Sequence, residues 1–516
     1  MFERRDVLKY VAGGVAAKIL PSLISSASAQ TPASPAAAPE TFDWGSVVET
    51  ARTLSKRPFR APAVDLPDPF ANLTYEQYSG IRNLPGTAVW AEDNVGFAIE
   101  PLHRGFAFAT QVQIALIEDG KVLPLAYRTS DYDFGGLKVP ADLKDIGFSG
   151  FRILQTRDKP ANEIAIFQGA SFFRAIGRGQ TYGVTARGLS VRTADPKGEE
   201  FPAFRSIWIE KPTLATNALV IYAVLESESI TGAYRFTFRG GEATISDTEC
   251  TLFPRVNIDN VGLGAMTATH VAGPLDRRRT DDVRPSIFDM NGLQMLNGRG
   301  EWIWRPVSNR ETLQISAFQD ENPRGFGFLQ RDRDFGRFLD DERHWEQHPS
   351  LWIEPIGDWG PGSVNLVEIP SDSEVNQNIV AYWRPKNPLA AGTEISFAYR
   401  QFWCWSPPER PNLATVSISR AGRPTGSAAN ARRRRFLVQF SGDGFAEIER
   451  GQDVFANLWV GPGNILGAKS ILSPDRKAFR VVFDVEAGNE PVMELRLQLE
   501  YQGKPISETW LYRWTS

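Results

Sequence analysis

The chain has 516 residues, 42% hydrophobic and 23% charged, with a net charge of −4 at neutral pH. That apolar mass can fill a large core, and the charge balance excludes a nucleic-acid binder. Two cysteines are too few for a disulfide framework, and four scattered histidines show no zinc-ligand spacing.

In chain order, "MFERRDVLKYVAGGVAAKILPSLISSASAQ" reads as a cleavable export signal over residues 1–29. Lys18 and Pro21 interrupt its apolar run, which is too short to span a membrane. The paired Arg4 and Arg5, with Leu8 beyond Asp6, have the look of a twin-arginine signal and place the mature protein in the periplasm. Removing residues 1–29, with four basic and two acidic side chains, takes the net charge to −6. Residues 30–41 form a Pro/Ala linker.

From Phe42 the chain is strand-rich. "WGSVVETARTLSKRP" predicts one early helix, with Val47, Val48 and Ala51 on a face and Pro58 as the stop. Asp119-Gly120 predicts a hairpin turn in "QVQIALIEDGKVLPLAY", and Gly240-Gly241 does so in "AYRFTFRGGEATISD". "NALVIYAVLES" reads as a buried strand. The Pro/Gly/Ser/Arg-rich stretch from 405 to 430 marks a boundary, with a large sandwich over 42–404 and a smaller one over 405–516. In the tail, "VMELRLQLEYQG" puts Met493, Leu495, Leu497 and Leu499 on one face and charged or amide groups on the other, as in a half-buried antiparallel strand. The run Arg432 to Arg435 reads as a solvated strand entrance.

The stretch from Arg284 to Trp405 is densest in candidate chemistry. Trp302, Trp304, Trp345, Trp352, Trp359 and Trp383 are interleaved with Arg, Asp and Glu, as rings that stack on sugars and charged groups that take their hydroxyls would be. Singly each tryptophan reads as core; together they read as a glycan cleft. His344 and His348 are four apart in "ERHWEQHPS" without a third ligand and read as surface residues. The loop "EIPSDSEVNQN", with Asp372 and Glu374, reads on its own as a solvated turn between strands. Pairing of Cys250 with Cys404 is left open.

"RPSIFDMNGL", "GEWIWRP", "NPRGFGFLQRDRDF", "PSLWIEP", "WGPGSVNLVEIP", "GASFFRA", "YGVTARGLSV" and the closing "ISETWLYRW" together resemble the periplasmic glucan biosynthesis protein G/D family (OpgG/OpgD) over essentially the whole mature chain. The signal and the bare ending look more like the D type. The resemblance implies an all-β protein: a galactose-mutarotase-like β-sandwich joined to an immunoglobulin-like C-terminal sandwich. It also implies work on osmoregulated periplasmic glucans with a β-1,2-linked backbone, the inner-membrane glucan synthase as a partner, and no metal or organic cofactor.

Some family members are inverting glucan hydrolases, others transglycosylases. An inverting hydrolase needs a general base and a general acid. By resemblance the base position is Asp289 of "RPSIFD", which otherwise reads as a turn residue before Asn291-Gly292. The acid position, the Asp of a Glu-Thr-x-Asp-Asn signature, is Gln377 here, in Glu374-Val375-Asn376-Gln377-Asn378. Asp372 is the available substitute acid, and Glu374, Trp302, Arg305, Trp352 and Trp383 are the expected substrate-binding residues. Two readings stay open: a hydrolase or transglycosylase with an altered acid, and a non-hydrolytic glucan-binding scaffold.

Overall fold

The computed structural model describes residues 42–515 apart from 158–159, 277–280, 427–431 and 449–452. The expected export signal and linker, residues 1–41, lie outside them.

The chain is built almost wholly of strands. The early helix spans Trp44–Ser55, capped by the Asp43 carboxylate, which accepts from Ser46 N at 2.7 Å. Its Val47 and Ala51 pack on Val224, Ala233 and Phe253 of the sheet beneath. Asp119 and Gly120 both take positive φ (49° and 75°), the type I′ geometry that matches strand twist, and join Gln113–Glu118 to Lys121–Pro124. The second hairpin joins Ile230–Arg239 to Thr244–Pro254.

Two large sheets face each other. In the ten-stranded sheet, Phe172–Ala175, Thr185–Arg187, Val261–Ala268, Ile379–Pro385 and Pro361–Glu368 lie side by side in that order. Opposite it runs a fifteen-stranded sheet. Phenylalanines close the gap: Phe167 meets Phe236 at 5.5 Å between centroids and Phe173 meets Trp403 at 5.8 Å. With the inward positions taken by such residues, the alternate positions of the ten-stranded sheet point outward. The site described below is built on that outer face.

The tail folds as its alternation predicts: Met493, Leu495, Leu497 and Leu499 are all buried. A four-stranded sheet packs on them, with Phe436 and Phe483 against Trp510. Arg433 and Arg435 pair with Glu486 and Asp484 across the neighbouring strand, at the surface as expected. The strand Thr509–Thr515 pairs in parallel with Trp302–Pro306, so the second tail sheet continues into the fifteen-stranded one. At this seam Glu508 is fully buried and accepts from both Arg331 Nη atoms (2.7 and 3.0 Å), Gln294 Nε2 (2.9 Å) and Val416 N (2.7 Å). Such a charge is tolerable inside only because all its lone pairs are used. Cys250 and Cys404 are both free and buried, and burial pushes each thiol up to about 12.

Candidate functional site

Strand Val261–Ala268 organises the site. Its Met266 and Ala268 join the core, so Thr267 points outward. The register sets Thr267 directly opposite Thr185. Two hydroxyls therefore stand side by side, and the side chain of Gln377 reaches back from its loop into both. Thr267 Oγ1 donates to Gln377 Oε1 at 2.7 Å, and Gln377 Nε2 donates to Thr185 Oγ1 at 2.6 Å. Thr185 Oγ1 also accepts from Arg174 Nε at 2.7 Å. Burial lowers the Arg174 pKa, and the Asp289 carboxylate opposes that shift, which sets guanidinium and carboxylate within one electrostatic neighbourhood.

Asp289 follows the short strand Ile287–Phe288, which pairs with His270–Ala272. The carboxyl is buried. Its Oδ2 accepts from Thr269 N at 2.7 Å, and its Oδ1 lies 2.8 Å from His348 Nδ1. His348 Nε2 lies 3.2 Å from the Arg343 carbonyl. A carbonyl only accepts, so Nε2 donates to it, and His348 is held at both ring nitrogens. Gly183 makes room for this pair: a Cβ there would sit 2.7 Å from the His348 Cβ.

The loop between Pro361–Glu368 and Ile379–Pro385 closes over these groups. Asn378 pins its neck, donating to the carbonyls of Ile369 (2.8 Å) and His270 (3.0 Å) and accepting from His270 N (2.8 Å). Thr269 Oγ1 donates to the Asn376 carbonyl at 3.1 Å, so one threonine ties Asp289 to the loop through its amide and its hydroxyl. Glu374 forms ion pairs with Arg284 (2.8 Å) and Arg343 (3.6 Å). Asp372 is exposed and shares the rim of a cavity of about 650 Å³ with Glu374, Arg284, Asp282 and Asn309.

Arg284 also binds Asp340 at 2.6 Å. Burial disfavours the Asp340 carboxylate, but Arg284, the backbone N–H of Arg343 and the Trp345 indole outweigh it and bring its pKa to about 2. Its folded pKa lies below the usual 3.8, so the stabilisation holds above that value and fades as pH falls toward about 2. Asp340→Asn is therefore expected to cost on the order of 2 kcal/mol near neutral pH. Urea unfolding should show that deficit closing on acidification; a deficit that persists unchanged at low pH would assign it to packing instead.

The structure thus brings together Asp289, Gln377 and Glu374, with Asp372 at the rim, but not the aromatic and arginine groups expected to hold sugar. Trp383 is fully buried in the main core, against Trp359 at 6.3 Å. Trp302 and Trp352 stack on each other at 5.9 Å inside the core shared with the tail. Arg305 is 1% exposed, paired with buried Glu368 at 2.9 Å and bonded to the Pro306 carbonyl. With no ring face or guanidinium edge open to solvent, these four residues are structural. His348 is corrected in the other direction: it is 4% exposed and bound to Asp289, because the segment before it folds back over that carboxyl. Arg174 and Thr185 lie in "GASFFRA" and "YGVTARGLSV", which mark the resemblance but not a role; for Thr267 and Thr269 the alternate threonines of "MTATH" were the readable hint, and His348 had none.

A family model described as periplasmic glucan biosynthesis protein, MdoG, matches residues 42–514. A curated protein named Glucans biosynthesis protein G from Vibrio cholerae is 43% identical over 478 residues, 92% of this chain and 87% of its own. One of the same name from a Shewanella species is 41% identical over 487 residues, with the same shares covered. A solved polysaccharide lyase structure overlaps 71% of this chain and 44% of its own at 8% identity, with a TM-score of only 0.17.

Proposed function

The chain belongs to the periplasmic glucan biosynthesis family, and on that premise we propose that it binds a β-1,2-linked glucan chain across Asp289 and the 369–378 loop without hydrolysing it efficiently. It works in the periplasm, reached by the twin-arginine route, and presents nascent glucan to the membrane synthase.

The observation that carries this reading is the fixed amide of Gln377. Both its ends are held by hydroxyls, so it stays an amide donor and acceptor in one orientation. Such a group can bind a glycosidic oxygen or a sugar hydroxyl but has no dissociable proton to give a leaving group. Thr185 Oγ1 accepts from both Gln377 Nε2 and Arg174 Nε and so fixes the amide in place. Glu374 is engaged by Arg284 and Arg343, which suits a role in binding or in holding the loop's shape.

Purified protein titrated with linear β-1,2-glucan in a calorimeter is expected to bind it, with release of new reducing ends far slower than that of a family hydrolase under the same conditions. A second reading rests on Asp372, exposed at the cavity rim beside Glu374. Brisk turnover that Asp372→Asn abolishes would place the acid there and replace the binding reading with a hydrolytic one.

A further inference from the structure

The strand Phe455–Gly461 ends the fifteen-stranded sheet, and its side chains alternate cleanly. Ala456, Leu458 and Val460 pack against the tail core. On the other face Phe455 is 68% and Trp459 55% exposed, with Asn457 between them. Two rings on one face, four residues apart, stand about 13 Å apart along the strand.

This face is shaped, not merely uncovered. A Cβ at Gly461 would come within 2.7 Å of the Trp459 benzo edge. The ring thus leans along the strand over a position that must lack a side chain, and does not stand upright as a knob for a neighbouring hydrophobic surface. The register brings Glu500 beside Phe455, Gln498 beside Asn457 and Arg496 beside Trp459. Asn457 Nδ2 donates to Glu500 Oε1 at 2.9 Å, and Arg496 is held by Glu301 at 3.0 Å, so the polar row is fixed in place. The charged groups here are the carboxylates of Glu500 and Glu301 and the single guanidinium of Arg496, so the strip carries no excess of positive charge.

We propose that this strip is a second carbohydrate-binding surface for a neutral glucan chain, remote from Asp289 in sequence and built on the tail. The proposal rests on the glucan reading above for the identity of the sugar. Flat aromatic faces take the apolar faces of pyranose rings, and amide and carboxylate groups between them take equatorial hydroxyls. A membrane surface would call for a basic strip, and a protein partner for a continuous apolar patch without fixed polar groups between the rings. Held at two places, a long glucan would dissociate more slowly than a short one, because rebinding at the second place is intramolecular.

The test compares short β-1,2-linked gluco-oligosaccharides with long linear β-1,2-glucan on wild type and on Phe455→Ala/Trp459→Ala, both positions being too exposed to endanger the fold. Short oligosaccharides should bind equally to both proteins, at the Asp289 site. Long glucan should bind the wild type more tightly, and the double variant should lose about two- to tenfold per ring and with it the dependence on chain length. Unchanged long-chain affinity in the double variant, with short-chain binding intact, overturns the second surface alone. Absence of binding at any length in the wild type overturns both readings. A dimer in sedimentation that the double variant abolishes overturns the sugar assignment and makes the strip an interface between copies.

Discussion

Asn in place of Asp289 is expected to remove whatever glucan cleavage or transfer the protein performs, by about 10²–10⁴-fold, and to leave glucan affinity within a few-fold. The substitution is nearly isosteric and keeps the local bonds. The amide oxygen can still accept from Thr269 N, and the amide nitrogen can donate to His348 Nδ1, whose ring then keeps its proton on Nε2 facing the Arg343 carbonyl. Only the capacity of a carboxylate to take up a proton disappears. A buried carboxyl that lost a partner would destabilise the fold, but here none is lost. Product chromatography on both proteins, with calorimetric binding in parallel, separates the two effects. Turnover equal to wild type would move the base elsewhere and make Asp289 a structural residue of the Thr269–His348 junction.

Much of the fold is legible because it follows local periods. The alternation from Met493 to Leu499 and the Asp119-Gly120 turn depend on neighbours two residues apart, and both are realised. The site is only half legible. Asp289 and the 369–378 loop are marked by resemblance, but their partners are supplied by register and by chain reversal. Thr267 meets Thr185 because two strands pair in one register and no other. His348 meets Asp289 across 59 residues, and nothing near "EQHPS" announces it.

The tryptophans misled for a physical reason. Rings interleaved with charges mark a sugar cleft, but they equally mark a sheet interior in which the charges neutralise one another. Arg305 meets Glu368, and Arg331 meets Glu508 while lying 3.5 Å over Trp304. Strand Thr509–Thr515 pairs with the edge of Trp302–Pro306, and Trp302 and Trp304 are buried in the core shared with the tail. Phe455 and Trp459, more exposed than Phe335 or Trp405 of the 284–405 stretch, lie in a tail strand that composition did not single out.

Gln377→Asp is expected to raise hydrolysis of linear β-1,2-glucan on the order of 10²–10⁴-fold at its best pH, provided that Asp289 is intact. The new carboxyl would lie between Thr267 and Thr185, and its pH dependence follows from what surrounds it. A general acid works only while protonated, so activity should be present below its pKa and lost as pH rises through it. Arg174 is one hydroxyl away through Thr185 and favours the ionised form, which draws that limb toward lower pH. Asp289 must stay ionised to act as base, which sets the opposite limb. The variant should therefore show a narrow bell on the acid side of neutrality, where the wild type shows little activity at any pH. Thr185→Val in the same background removes the hydroxyl that links Arg174 to position 377, and should shift the upper limb to higher pH. No gain in Gln377→Asp at any pH, with glucan binding retained, would mean that position 377 does not face the scissile bond and that the family's acid position has only a binding role in this chain.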